Sequence, residues 1–254
     1  MESALGLPGE VYAAGLVFVR VAAMVMLLPG VGESAVPPRI RLSFALLLAL
    51  TLTPIVSGSL PPVPATVGAL GGQVISEALI GLMIGALLRL FLTSLAVAGE
   101  VLSLQTTLSF AQTSNPLQAQ PTAALGAFLT LMGVVLIFSA DLHHLFIGAI
   151  ARSYTIFQPG ESLPVADAAT LAGRTLGEAF ALGIQLSAPV IVFSLVLNVA
   201  AGLINRVMPQ FQVFFAATPI SVLGGLAVLA LSLGVLGLVW IERYEAFVRR
   251  FAGT

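Results

Sequence analysis

The two histidines of the chain stand side by side in Asp141-Leu142-His143-His144. Imidazole and carboxylate are the side chains a transition metal prefers, so this is the first place to look for chemistry. Asp141 and His144 are three residues apart and share a helix face. Adjacent helical residues, by contrast, point about 100° apart, so one ion does not easily take both imidazoles. No third ligand follows nearby, and the H-E-x-x-H spacing of zinc hydrolases is absent. We therefore expect no metal and a structural, interfacial role for this tetrapeptide.

A second group consists of Arg20, Glu77, Arg89 and Glu100, each set in or beside an apolar segment. Ionisable groups at such depth serve as ion paths or proton relays, or pair with one another between helices or subunits. Both signs occur, and no run of them follows one helix face. Pairing is the expectation.

Other chemistries are excluded by what the chain lacks. It has no cysteine, hence no thiol nucleophile, thiolate metal site or disulfide framework. All ten cations are Arg, so there is no phosphate-loop lysine and no Schiff-base or general-base lysine. No G-x-S-x-G elbow and no glycine-rich phosphate loop occurs. We expect no catalytic residue, no cofactor and no enzyme activity.

The elements that carry these residues are apolar. Of 254 residues 58% are hydrophobic and 8% charged, with mean hydropathy +1.08. A soluble domain carries about 25% charged residues, so this is a polytopic membrane protein. A formal net charge of −1 argues against a nucleic-acid partner. Two Glu and no cation precede the first apolar run, so no cleaved signal peptide is expected. We predict an all-α membrane protein: about six to seven long, partly bent hydrophobic helices forming helical hairpins, in a single polytopic membrane domain over 1–254.

The first segments are 11–28, with Arg20 at its middle, and 40–56, entered through Pro37-Pro38-Arg39-Ile40-Arg41. A stiff, proline-rich link follows at 57–65. The stretch 66–110 is nearly unbroken and apolar. As one helix it would reach about 66 Å, against a hydrocarbon core of about 30 Å. It must bend, tilt strongly or double back, with Gly81-x-x-x-Gly85 and Gly99 as close-packing or bending points. A polar, uncharged loop over 106–122 separates it from the segment 123–140. Another over-length stretch, 168–204, contains Gly173-x-x-x-Gly177 and is interrupted by Pro189. The last apolar segment is 220–241, and 242–254 is an amphipathic interfacial tail with Tyr244, Phe247 and Phe251. Six crossings scatter the arginines over both sides of the membrane. A seventh pass, folded near Arg89, gathers all but Arg206 on one side. Either 66–110 doubles back, or the helices depart from ordinary bilayer geometry.

The stretch 195–219, LVLNVAAGLINRVMPQFQVFFAATP, departs most from a plain membrane helix. Its helix breaks at Asn205–Gln210, where Pro209 bars a regular helix. The apolar run after it is stopped by Pro219. A polar, cationic patch between apolar segments must be covered by protein or line a wet cavity. Arg206, at a helix C-terminus, can bind free carbonyls of its own helix and an acceptor on a neighbour through its planar fork.

Leu197, Asn198, Gly202, Leu203, Asn205, Arg206, Pro209, Gln210 and Pro219 resemble the signature of the FliR/SctT family of type III export-gate proteins, L-N-x-x-x-G-L-x-N-R-x-x-P-Q followed by an apolar run and a Pro. A second stretch is similar to the family as well: Gly99-Glu100, Leu104-Gln105, Leu108-Ser109-Phe110-Ala111 and Asn115-Pro116. Thr107 stands where the family often has Gly, which puts a sharp bend there in doubt. Asn115 stands where it often has Asp, which removes the charge of an ionic latch. His143, Ser153-Tyr154 and Pro159 also fit the family pattern, at the start of an apolar run. The resemblance covers most of the chain, from Pro37 to Pro219.

What the resemblance implies is a subunit of the bacterial type III export gate, in the flagellar basal body or the injectisome. Such a subunit is expected in the bacterial inner membrane, with FliP-like and FliQ-like partners and with FlhB- and FlhA-like proteins nearby, passing unfolded substrates. It favours helices lifted partly out of the membrane plane. It also implies that Phe110, Gln112, Asn115 and Pro116 belong to a plug that closes the channel, and that Asn198, Gly202, Asn205, Arg206, Pro209, Gln210 and Pro219 make structural or subunit contacts. From the residues alone, two other classes stay open: a free-standing secondary transporter or channel, and a purely structural membrane scaffold. The transporter would show an internal repeat with paired broken helices; none is visible.

Overall fold

A computed structural model describes residues 9–108, 124–160, 165–210 and 212–252. These residues form seven helices and no strand. They are α1 (Gly9–Val25), α2 (Pro38–Val56), α3 (Val67–Gln105), α4 (Ala124–Ser139), α5 (Leu142–Ile156), α6 (Val165–Val207) and α7 (Val213–Ala252). A short 3-10 turn, Ser57–Ser59, follows α2. The all-helical membrane architecture is as the sequence predicts.

Local chemistry sets the boundaries. Pro38 occupies the first turn of α2, where its missing N–H costs nothing. The proline-rich link beyond Ser59 cannot continue a helix. Gly30, at φ +86, takes a left-handed turn between α1 and α2 against the ring of Phe138. Asp141, at φ 56, makes the break between α4 and α5, a bent pair.

Several expectations change. The helix α3 runs unbroken over 39 residues and does not double back. Pro189 lies inside α6, and Pro219 inside α7, so neither ends its helix. A proline removes one backbone bond, whereas a full break in an apolar medium would free several groups with no water to meet them. The 242–252 stretch is not a separate helix but the end of α7. The seven helices match the expected six to seven, and among the described residues four of them are long and apolar enough to cross a membrane, or five with the bent α4–α5 pair. The helix α1 has 17 residues, and α4 and α5 have 16 and 15, each short for a span of about 20. By contrast α3, α6 and α7, with 39, 43 and 40 residues, reach about 58–65 Å, roughly twice the hydrocarbon thickness.

The chain divides into two compact units, neither continuous in sequence. The first comprises 1–91, 138–176 and 245–254; the second, 92–137 and 177–244. In the first, α1 packs on α2, and Gly81 and Gly85 of α3 press on the Arg20–Leu27 stretch of α1. A Cβ at Gly81 would fall on the Arg20 carbonyl, so this close approach requires glycine. Phe91 stacks on Phe247 at 4.8 Å, and this face of the α7 end is covered by protein, not open to a lipid interface. In the second unit Gly99 of α3 meets Gly126 of α4 backbone to backbone. Gly183 of α6 lies against Ser94 and Val97, and the indole of the buried Trp240 donates to Ser94 Oγ at 3.0 Å. Outward-facing Leu231, Phe215, Leu223 and Ile55 leave an apolar exterior suited to lipid.

Candidate functional site

The first unit has a charged centre. Arg20 on α1 and Glu77 on α3 are 0% and 1% exposed, and they form a two-pronged pair, Nε to Oε2 at 2.5 Å and Nη2 to Oε1 at 2.9 Å. The guanidinium also donates to the Ser153 carbonyl at 3.0 Å and, through both terminal nitrogens, to the Phe157 carbonyl at 3.1 Å. These carbonyls lie at the C-terminus of α5, where intrahelical donors run out and a cation is favoured. The Tyr154 ring lies 4.1 Å from the guanidinium carbon, and its hydroxyl donates to the Val17 carbonyl. One arginine thus ties three helices. Nearby, Tyr12 donates to Gln73 Oε1 at 2.6 Å. The geometry is that of a clamp: every prong of the fork is used, and no water-filled path is needed to keep the charge.

Arg89 and Glu33 pair loosely at 3.5 Å, both partly exposed. Arg41 caps carbonyls of Val36 and Gly32 in the same turn region. Glu100 is exposed and has a partner of its own. Of the four charges set in or beside apolar segments, then, Arg20 and Glu77 come together, while Arg89 pairs with a residue the sequence reading did not single out.

At the end of α3, in the second unit, the chain turns at Thr107, φ 58. The bend that a threonine put in doubt does occur, with a β-branched residue in a backbone conformation suited to glycine. The turn is gripped on both sides. Ser194 of α6 donates to Gln105 Oε1 at 2.6 Å, and Ser221 of α7 donates to the Gln105 carbonyl at 3.4 Å. Gly225 lies on the Thr106 methyl. The hydroxyls of Ser103 and Thr107 are buried and make no hydrogen bond among the described residues. Phe110, Gln112, Asn115 and Pro116 lie outside the described residues.

The signature stretch is arranged oppositely. Asn198, Gly202, Asn205, Arg206, Pro209, Gln210 and Pro219 are all exposed. A Cβ at Gly202 would meet nothing within 4 Å. The helix α6 ends at Val207, as Pro209 requires, but Arg206 makes no side-chain hydrogen bond or ion pair among the described residues. The carbonyl capping expected of it within its own helix is therefore not seen. Gly173 and Gly177 likewise meet nothing within 4 Å.

The Asp141-His143-His144 group also differs from expectation. Side-chain rotation brings the two imidazoles to 4.1 Å between ring centres, despite the divergence of neighbouring helical positions. One ligand atom from each of the three residues lies within 4.8 Å of the others.

Sequence reasoning missed Ser94, Phe157 and Glu33 as partners. Opposite charges on two apolar segments hinted at the Arg20–Glu77 pair, but no sequence signal marks a backbone carbonyl such as that of Phe157.

Comparisons place this arrangement among known chains. Residues 11–247 match the family model described as bacterial export proteins, family 1. The flagellar biosynthetic protein FliR of Caulobacter vibrioides is 57% identical over 242 residues, which cover 95% of this chain and 96% of that one. The proteins of the same name from Pectobacterium carotovorum and Aquifex aeolicus are 30% and 29% identical, covering 85% and 93% of this chain and 82% and 91% of theirs. With the match running through both helical units, the chain belongs to the bacterial export proteins, family 1.

Proposed function

We propose that this chain is a structural, pore-forming subunit of the bacterial flagellar type III protein export gate, one polytopic membrane domain without enzymatic activity. In this reading it assembles with FliP- and FliQ-like subunits in the inner membrane at the basal body, next to FlhB- and FlhA-like proteins. The complex passes unfolded substrates, driven by other components. The polar run 106–122, entered through the turn at Thr107, closes the pore.

The observation that carries the proposal is the exposure of the signature stretch. Asn198, Asn205, Arg206 and Gln210 are polar, sit on apolar flanks and are exposed among the described residues. Lipid cannot satisfy such groups, so a neighbouring protein must cover them. The over-length helices agree, because about half of each extends beyond a 30 Å core and needs protein cover.

The test is co-purification. Expressed with FliP- and FliQ-like proteins, the chain enters a multi-subunit complex and gains stability. Arg206→Lys keeps the charge but loses the fork and lowers incorporation in part; Arg206→Ala lowers it strongly. A stable, monodisperse monomer with no gain on co-expression would instead fit a free-standing transporter. Wild-type incorporation of Arg206→Ala would refute the role given to the patch.

A further inference from the structure

We propose that Asp141, His143 and His144 form a binding site for a first-row divalent ion of the zinc, nickel or copper group, at the break between α4 and α5.

Four features of the first unit converge on this point. One ligand atom from each residue lies within 4.8 Å of the other two. Ligands around a tetrahedral zinc with bonds of about 2.0–2.1 Å stand roughly 3.4 Å apart, so modest side-chain rotations close the set. Second, the Asp141 carboxylate stands at the N-cap position of α5 yet makes no capping bond. Asp is a preferred cap because its oxygen takes a free backbone N–H; here that oxygen is left for another partner. Third, Nδ1 of His143 is buried without a hydrogen bond among the described residues. Buried ring nitrogens ordinarily have a partner, and a metal ion satisfies a lone pair as well as a proton donor does. Fourth, the two imidazole ring centres lie 4.1 Å apart, within reach of one ion.

The ligand chemistry selects the ion. Two imidazoles and a carboxylate suit zinc, nickel and copper, whereas magnesium and calcium require all-oxygen shells. Asp141 and His144 are exposed and His143 is partly so, which leaves the remaining coordination positions to water. The Phe138 ring, 5.5 Å from that of His143, holds the imidazole in place. Bound there, the ion staples the left-handed turn at Asp141 to the first turn of α5 and so fixes the break.

The test uses the full-length chain in detergent without a histidine tag, so that His143 and His144 are its only imidazoles. Zinc is titrated by calorimetry and cobalt by visible absorption, whose band intensity reports the ligand geometry. Saturable binding of one ion per chain is expected. Asp141→Gly suits the positive φ and keeps the fold, and His144→Ala removes an exposed ring; each weakens binding about tenfold or more. Thermal midpoints of the metal-free variants, unchanged from the parent, show that the chain remains folded. Absence of saturable binding overturns the proposal. So does unchanged affinity in either variant, because the site then lacks one of its three ligands.

Discussion

Replacing Glu77 by Gln keeps the shape of the side chain and removes its charge, which leaves Arg20 buried without its counter-ion. Breaking a buried pair from one side costs about 3–5 kcal/mol. The three bonds from Arg20 to the Ser153 and Phe157 carbonyls remain, but carbonyls alone do not neutralise the guanidinium. For a chain of this length 1 kcal/mol corresponds to about 2–4 °C in melting temperature. A fall of about 6–20 °C is therefore expected for Glu77→Gln, followed by circular dichroism of the purified protein in detergent. The double variant Arg20→Met, Glu77→Leu separates charge from packing. It buries no unpaired charge, and the Ser153 carbonyl keeps its bond from the Phe157 N–H at 2.9 Å. The Phe157 carbonyl loses its donors, at a cost of about 1–3 kcal/mol, and the Ser153 hydroxyl loses a long bond of 3.4 Å. The double variant should thus be more stable than Glu77→Gln alone. A shift below about 2 °C for Glu77→Gln, or a double variant as unstable as the single, would refute the clamp.

Thr107→Gly relieves the left-handed strain at the end of α3 and should stabilise the chain by about 1 kcal/mol in the same assay, whereas Thr107→Val should not. Gly99→Ala drives a methyl into the Gly126 backbone and should cost about 1–3 kcal/mol; Gly202→Ala meets nothing, should leave the isolated chain unchanged or up to about 1 kcal/mol more stable, and should lower recovery in a co-expressed complex. Ser94→Ala leaves the buried indole N–H of Trp240 without its acceptor, with an expected loss of about 1–3 kcal/mol measured by thermal unfolding.

Much of the architecture was legible because membrane helices announce themselves by apolar length alone. The bounds of α2 and α4 fall within two residues of their expected positions. Prolines misled in proportion to their surroundings. Pro209, beside Asn205, Arg206 and Gln210, ends a helix on an exposed stretch, where the freed backbone is open to partners outside the helix. Pro189 and Pro219, among apolar residues, do not. That the charges pair was legible from their opposite signs on apolar segments; which of them meet was not, because it depends on which faces of α1 and α3 come together, and small residues such as Gly81 decide that only in three dimensions. The convergence of His143 and His144 was missed for a related reason: helical position sets the Cβ direction, and rotamers set where the ring goes.

The first unit closes with the last ten residues of the chain, where Phe247 stacks on Phe91. A ribosome makes the polypeptide from the other end, at about 5–20 residues per second. When α1, α2 and the first part of α3 emerge, the partner ring of Phe91 on α7 is not yet made, and their stacking waits for a time on the order of 10 s until the end of α7 is synthesised. Truncation from the C-terminus, even by the final turns of α7, therefore removes a contact made to residues of the first half of the chain. The first unit is therefore complete only once the end of α7 has arrived.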